Sequence, residues 1–245
     1  MEFVMTACTD AGMRKEGNQD SCCMLQADTA QGRILMAAVC DGVGGLAGGE
    51  VASARLVSAF RRWFLDQLPA LTEAGAGQEQ IRQEQIRKEW HRLILAENQK
   101  IARYGWERDI RLGTTVTAFL VLPDGNYVIA HVGDSRAYRV TTDTVDRLTV
   151  DQTASERKNV LLQCVGASQV VEPSFYYGTV RKKECYLLCT DGMWRKLENR
   201  DLLQAFSPGR NRDCRQMKHH MQRMIAQNKK RRERDNMTAV LIRVV

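Results

Sequence analysis

The sequence predicts an α+β fold in which antiparallel β-sheets are covered by helices. Three observations predict it. Strand-like segments group at both ends of the chain and in its middle, two long amphipathic helices are inserted between them, and the turn Pro123-Asp124-Gly125-Asn126 joins two β-rich runs as a hairpin. The chain has 245 residues, enough for a sizeable core, and is read as one domain over residues 1–245. With 44% hydrophobic and 27% charged residues, its composition is that of an ordinary globular protein.

The elements follow in order. Residues 1–8 and 33–40 read as strands, the second an apolar run ending at Cys40. Gly44-Gly45 and Gly48-Gly49 make a flexible turn, read as close backbone approach rather than a phosphate cradle. A helix then runs from Glu50 to about Leu68, with Leu56, Phe60, Trp63, Phe64 and Leu68 at helical spacing. Pro69 and the stretch 72–77 read as a loop. A second helix over 78–104 carries Ile86, Trp90, Leu93, Ile94 and Ile101 on one face, and both stripes are read as core-facing. The hairpin strands are 114–122 and 127–132; residues 136–140 and 146–148 form another pair, and 184–189 and 238–244 complete the strands. Asn199 is placed to cap a short helix through Phe206, and residues 211–228 form the last helix. No apolar run has the length needed to cross a bilayer. The N-terminus lacks the basic flank and long apolar stretch of a signal peptide, so the expected location is cytoplasmic.

Eight cysteines suit that location. None forms a Cys-x-x-Cys pair, which argues against zinc, and Cys40, Cys185 and Cys189 lie in apolar strands as small hydrophobes. The net charge of +7 is localised: between Arg212 and Arg234 stand nine Lys/Arg against two acids, and the remainder of the chain balances. The run Lys229-Lys230-Arg231-Arg232 with Arg234 can bind a nucleic-acid backbone, steer an anionic substrate toward the adjacent Asp235, or be a solvated helix end. The last reading is taken, and nucleic acid is not expected as a partner.

The chemistry lies in four short segments: Asn18-Gln19-Asp20, Asp41-Gly42, Asp191-Gly192 and Asp235-Asn236. Three adjoin apolar, strand-like sequence. An aspartate at the end of a buried strand is costly unless something pairs with it. Four such acids converging on one rim call for cations between them, and all-oxygen ligands select hard divalent ions, Mg²⁺ or Mn²⁺. Metal-assisted hydrolysis is the chemistry that follows. Taken singly, each Asp-Gly or Asp-Asn also reads as a turn.

The ordered set of motifs resembles the metal-dependent protein phosphatases of type 2C, the PPM family, in its compact bacterial form. The residues that carry the resemblance are Thr9-Asp10-Ala11-Gly12, Asn18-Gln19-Asp20, Asp41 to Gly45, Gly49 to Ser53, Gly113-Thr114-Thr115, Val132 to Arg136, Leu148-Thr149, Thr190-Asp191-Gly192 and Asp235 to Thr238. The resemblance implies a four-layer αββα sandwich of two antiparallel β-sheets flanked by helices, with a metal site at one edge. It implies two Mn²⁺ or Mg²⁺ ions about 4 Å apart, activating a bridging water for attack on phosphoserine or phosphothreonine. Asp41 would bridge the ions with the Gly42 carbonyl completing one of them, Asp191 and Asp235 would hold the second, and Asp20 would support the cluster. Asp134 matches the position of a weaker third metal, and it also reads as a turn-former. The implied partners are phosphoprotein substrates and a cognate serine/threonine kinase.

Four positions depart from the family pattern. The phosphate-gripping arginine is replaced by Lys15, with Arg14 beside it; lysine neutralises phosphate as a point charge without the bidentate fork. Val43 stands where some members carry a proton-donating histidine. Arg195 stands where many have an acid, which weakens the third metal and offers a cation to substrate. The flap within 151–183 is shortened, with Gln152 in place of a frequent histidine. Lys15 and the short flap leave an alternative: a pseudophosphatase that binds phosphoproteins without turnover. His131 is read as hydrogen-bonding behind the site, or as structural, and His91, His219 and His220 as structural or surface residues.

Overall fold

Two five-stranded antiparallel sheets stack face to face, each covered on its outer side by helices. The computed structural model describes residues 1–13, 17–43, 48–73, 79–154 and 157–245. In chain order the elements are β1 (Phe3–Asp10), β2 (Ser21–Thr29), β3 (Gly32–Cys40), α1 (Gly49–Asp66), α2 (Leu68–Glu73), α3 (Glu79–Trp106), β4 (Val116–Val121) and β5 (Asn126–Val132). There follow β6 (Arg136–Val140), β7 (Val145–Arg147), β8 (Thr153–Ala154), β9 (Arg157–Leu161), β10 (Ser174–Thr179) and β11 (Cys185–Cys189). The chain ends with α4 (Asp191–Trp194), α5 (Asn199–Phe206), α6 (Cys214–Lys230) and β12 (Met237–Val244). The first sheet runs β1-β12-β11-β6-β7, the second β10-β5-β4-β3-β2, and β8 pairs with β9 in a separate ribbon.

Strand β3 shows how the layers arise. Its alternate residues Ile34, Met36, Ala38 and Cys40 join Leu56, Phe60, Trp63 and Trp90 of α1 and α3. Leu35, Ala37 and Val39 face the other sheet, packing with Phe119, Tyr127, Tyr186, Val240 and Ile242. The outer face of the first sheet, including Leu187, Ala239 and Leu241, lies under Phe206, Met217, Met221 and Ile225 of α5 and α6. A strand buried on both faces shows no polar alternation, so β3, β4, β11 and β12 read in sequence as predominantly apolar runs. Each large side chain buried in this way contributes roughly 1.5–3 kcal/mol. The architecture is the expected four-layer αββα sandwich.

The structure adds to the expected elements and corrects some. Strand β2 was not expected; it is an edge strand, and its small and polar residues dilute the period-two signal. Strand β10, the opposite edge, was also unforeseen; the flap is therefore confined to 151–173, where it forms the β8–β9 ribbon. Pro69 and Thr72 lie in a short helix rather than a loop. Glu198, not Asn199, caps α5, because it forms a reciprocal capping box with Asp201. Helix α6 begins at Cys214, where the Asp213 carboxylate accepts from Gln216 N at 2.8 Å. The expected hairpin forms between β4 and β5. No described helix is long and apolar enough to cross a membrane.

Candidate active site

Four loop junctions meet at one edge of the sandwich. Strand β3 delivers Asp41, whose backbone is fully tied. Its N–H donates to Thr115 Oγ1 (3.0 Å), and its carbonyl accepts from Thr115 N (2.9 Å) and Thr114 Oγ1 (2.9 Å). Gly42 follows, donating to the Gln19 carbonyl (3.1 Å); a Cβ here would lie 2.5 Å from the Gly49 oxygen and 2.6 Å from that of Gln19. Only glycine permits this approach, which locks the end of β3 to the Asp20 segment and to the start of α1. Gly44 and Gly45 lie outside the described residues.

Strand β11 leads through Thr190 into Asp191, the first residue of α4. The Thr190 hydroxyl donates to Asp20 Oδ2 (2.8 Å) and accepts from Thr238 N (3.0 Å), so one side chain joins β11, β12 and the Asp20 segment. Asn236 makes three more ties: its Oδ1 accepts from Gln19 N (2.9 Å), and its Nδ2 donates to the carbonyls of Ala11 (2.9 Å) and Gly17 (3.1 Å). Buried Glu233 accepts from the N–H groups of Arg234 (2.8 Å) and Asp235 (3.0 Å), fixing the approach to Asp235.

The result is a cleft of about 510 Å³ lined by Asp41, Asp134, Asp191 and Asp235, with Val43, Thr115 and Arg195, and with Val160, Leu161 and Cys164 from the flap side. Asp20 lies behind it, on Thr190. Of the residues singled out from sequence, the structure thus brings Asp20, Asp41, Gly42, Asp134, Asp191 and Asp235 to one edge. Arg14 and Lys15 lie outside the described residues.

The electrostatics are those of crowded acids. Desolvation pushes the Asp41 carboxyl well above its ordinary range, and the charges of Asp20, Asp134 and Asp235 push it further. Burial raises Asp20 to about 6, with Asp235 adding to the shift and the Thr190 and Thr238 hydrogen bonds opposing it. Burial likewise raises Asp134 to about 6, which Arg195 opposes. Asp20 Oδ1 and Asp191 Oδ1 are shut off from solvent with no hydrogen-bond partner. Among the described residues, no three acidic, histidine or cysteine side chains cage an ion as they stand. Instead Arg195 pairs with the Asp191 carboxylate, its guanidinium 3.6 Å from Asp235 Oδ2. The arginine offered from sequence as a cation for substrate is therefore engaged with the acids themselves.

The donor set suits a hard divalent ion. It is all oxygen, it carries excess negative charge, and one carboxylate oxygen of Asp191 and one of Asp20 behind it lack a donor.

Behind Asp41 runs a hydroxyl chain. Thr115 Oγ1 meets Ser135 Oγ (2.8 Å), and Thr117 Oγ1 donates to the Ser135 carbonyl (3.0 Å) and meets His131 Nδ1 (3.0 Å). His131 is thus the buried hydrogen-bonder expected behind the site, and burial lowers its pKa to about 4, keeping it neutral. Gln152 secures the flap, accepting from Gly133 N (2.9 Å) and donating to Ser174 Oγ (3.0 Å). In the basic segment, Lys229 pairs with Asp10 (2.7 Å) and Arg231 with Asp201 (2.6 Å), so two of its charges hold the fold.

The organising roles of Thr190, Asn236 and Glu233 were missed in sequence. The first two sit inside quoted motifs, so adjacency to an aspartate could have found them; nothing local marks Glu233.

Known proteins share this fold. The chain is similar to the serine/threonine phosphatase stp of Listeria innocua serovar 6a, 28% identical over 204 residues that cover 76% of this chain and 75% of that one. A solved serine/threonine phosphatase of S. agalactiae superposes with a TM-score of 0.80 at 26% identity, both chains covered in full. The catalytic domain of the serine/threonine protein phosphatase PstP, solved with two manganese ions, gives a TM-score of 0.74 at 25% identity, again with full coverage of both. The model of the protein phosphatase 2C family matches residues 11–241, and the chain belongs to that family.

Proposed function

We propose that the chain, as a single catalytic domain over 1–245, hydrolyses phosphoserine and phosphothreonine in proteins with the help of two Mn²⁺ or Mg²⁺ ions. One observation carries this reading: aspartates from distant segments converge on one edge of the sandwich, and a buried carboxylate oxygen of Asp191 in the cleft and another of Asp20 behind it have no donor. The names of the relatives, serine/threonine phosphatases, support the substrate class, and the two manganese ions of PstP support the metal.

In this reading Asp41, with the Gly42 carbonyl, and Asp191 and Asp235 would hold the ions, Asp20 would support them from behind, and Asp134 would hold a weaker third. When bound, the ions would supply an activated water and neutralise the phosphoryl charge. The chain's own residues do the rest. Thr114 and Thr115 fix Asp41, and Thr190 fixes Asp20. Arg14 or Lys15 would grip the phosphate. Val43, Val160 and Leu161 supply an apolar wall to the cleft. Val43 has no proton to give, so solvent protonates the departing serine or threonine.

Phosphoproteins are the substrates, a cognate serine/threonine kinase the opposing partner, and the cytoplasm the location; all eight cysteines are free, which suits a reducing compartment. The alternative of a phosphoprotein-binding pseudophosphatase finds no support among these relatives.

The test is hydrolysis of an aryl phosphate, then of phosphoserine and phosphothreonine peptides, with Mn²⁺, with EDTA, and with Asp41→Asn. Turnover that needs metal and vanishes in the variant is expected. Metal-independent turnover, or none from folded protein with either ion, would overturn the proposal.

A further inference from the structure

Among the described residues lining the cleft, one is positively charged, and it stands between two acids. Arg195 closes the short helix α4 that Asp191 opens, four residues earlier. Its backbone N–H donates to the Asp191 carbonyl at 2.8 Å. Its guanidinium pairs with Asp191 Oδ2 and stands 3.6 Å from Asp235 Oδ2. The two carboxylates are 11% and 22% exposed, whereas the arginine side chain is 30% exposed. The acids are thus held in the wall of the cleft while the cation reaches them from its open side. Its long unbranched stem lets it leave by the same route without moving the backbone.

A single guanidinium cannot serve all the negative charge here. Asp191 Oδ1 remains buried without a partner, and so does Asp20 Oδ1. Asp41 and Asp134 lie further along the same cleft. A divalent ion brings twice the charge and can take several oxygens at once. Arginine and ion cannot both sit against Asp191 and Asp235, because two cations at contact distance repel strongly in a partly dry site.

We propose that Arg195 is a built-in counter-cation: it neutralises Asp191 and Asp235 in the metal-free chain, and a divalent ion must displace it to bind. This rests on the metal reading given above. It has two consequences. The metal-free chain holds this edge together at neutral pH because two of the cleft's acids share a counter-cation. The chain also binds its metal more weakly than the acids alone would, since each binding event breaks an ion pair.

The experiment measures Mn²⁺ binding to the full chain by calorimetry and by loss of the free-ion electron spin resonance signal, together with melting temperature in EDTA and in saturating Mn²⁺. Three proteins are compared: wild type, Arg195→Gln and Arg195→Lys. Arg195→Gln is expected to bind Mn²⁺ about tenfold more tightly, the scale of one removed like charge. It is also expected to melt at a lower temperature than wild type in EDTA and to lose that deficit in saturating Mn²⁺. Arg195→Lys keeps the charge and should retain wild-type affinity to within about threefold.

Unchanged or weaker binding in Arg195→Gln overturns the proposal. A melting deficit that persists in saturating Mn²⁺ overturns it too, since the arginine would then be a purely structural pair. Wild type taking up one ion where Arg195→Gln takes two also overturns it, by making the arginine a permanent replacement for an ion. Absence of Mn²⁺ binding by any of the three folded proteins removes the metal reading itself, an outcome distinct from all of these.

Discussion

Strand β11 is flanked by two buried acids, Glu184 before it and Asp191 after it, and the fold treats them oppositely. They are 7% and 8% exposed, so burial does not distinguish them. Glu184 accepts from the Tyr186 hydroxyl (2.6 Å) and Arg181 N (3.1 Å), with Arg139 4.0 Å from its other oxygen. Asp191 has one oxygen on Arg195, and its other oxygen is buried with no donor. A buried carboxylate costs several kcal/mol unless its lone pairs are met. The fold meets that cost at Glu184, where the acid only closes a strand end, and leaves it unmet at Asp191. The contrast is wider than this pair. Among the described residues, the buried side-chain oxygens without a partner belong to Asp20, Asp191, Asn228 and Glu233. Asn228 donates to the carbonyls of Gly192 and Met193, and Glu233 accepts from Asp235 N, so both abut the acids of the cleft. Unmet oxygens crowd one edge of the sandwich, as they must if a ligand from outside is to meet them.

The largest expected effect breaks the pair apart by function. Asp191→Asn should reduce kcat/KM for an aryl phosphate on the order of a thousandfold. Its stability to urea in EDTA should change little, because the lost pair with Arg195 is offset by relief of a crowded, half-unpartnered charge. Glu184→Gln should do the reverse, keeping activity to within about twofold while losing about 2–3 kcal/mol of stability through a buried donor set left mismatched. If the two variants lose activity and stability in the same proportion, the distinction between a satisfied structural acid and a reserved one fails.

Which half of this contrast was legible in the sequence has a physical reason. Asp41, Asp191 and Asp235 could be read because each adjoins an apolar run, and an acid at such a boundary is anomalous without a partner. Glu184 could not: Lys182-Lys183-Glu184 resembles any charged turn, and its partners Arg139 and Tyr186 are set by sheet pairing. Arg195 was visible as a departure, but its target was not read, although an acid four residues before an arginine on a helix is a known pairing. The central strands were legible because both faces are apolar. The edge strands β2 and β10 were not, because neither is fully buried and each mixes polar with apolar residues.

A smaller effect tests the buried imidazole behind Asp41. His131 has a folded pKa of about 4, lowered from 6.5 by burial, with Asp151 acting in the opposite sense. The unfolded chain therefore takes up a proton near pH 6.5 that the folded chain refuses until about pH 4. Stability is lost as pH falls through that window, by roughly 2 kcal/mol between pH 7.5 and 5. The raised Asp20 and Asp134 carboxyls, each about 6, act in the other direction, gaining stability as pH falls. Urea denaturation of wild type and His131→Asn at both pH values isolates the histidine, and the variant should lose less stability in acid than wild type. An equal loss in both proteins would mean that this imidazole is protonated in the folded chain.

The smallest effect carries the comparison from oxygens to hydrocarbon. At the cleft's rim, Val160 is 47% exposed and Leu162 67% exposed, and Val160 with Leu161 lines the cleft. Exposed apolar side chains beside a polar pocket are the hydrocarbon counterpart of Asp191 Oδ1: surface left unmet until a partner arrives. A phosphopeptide lying across the flap would cover them, whereas a small aryl phosphate reaches only the floor of the cleft. Replacing both Val160 and Leu162 by serine should lower kcat/KM for phosphopeptides about fivefold, the value of one partly buried apolar contact. It should leave aryl phosphate turnover and melting temperature unchanged, since neither residue belongs to the core. Equal losses on both substrates would place these side chains in the general architecture of the cleft, and the parallel between unmet oxygen and unmet hydrocarbon would end at the acids.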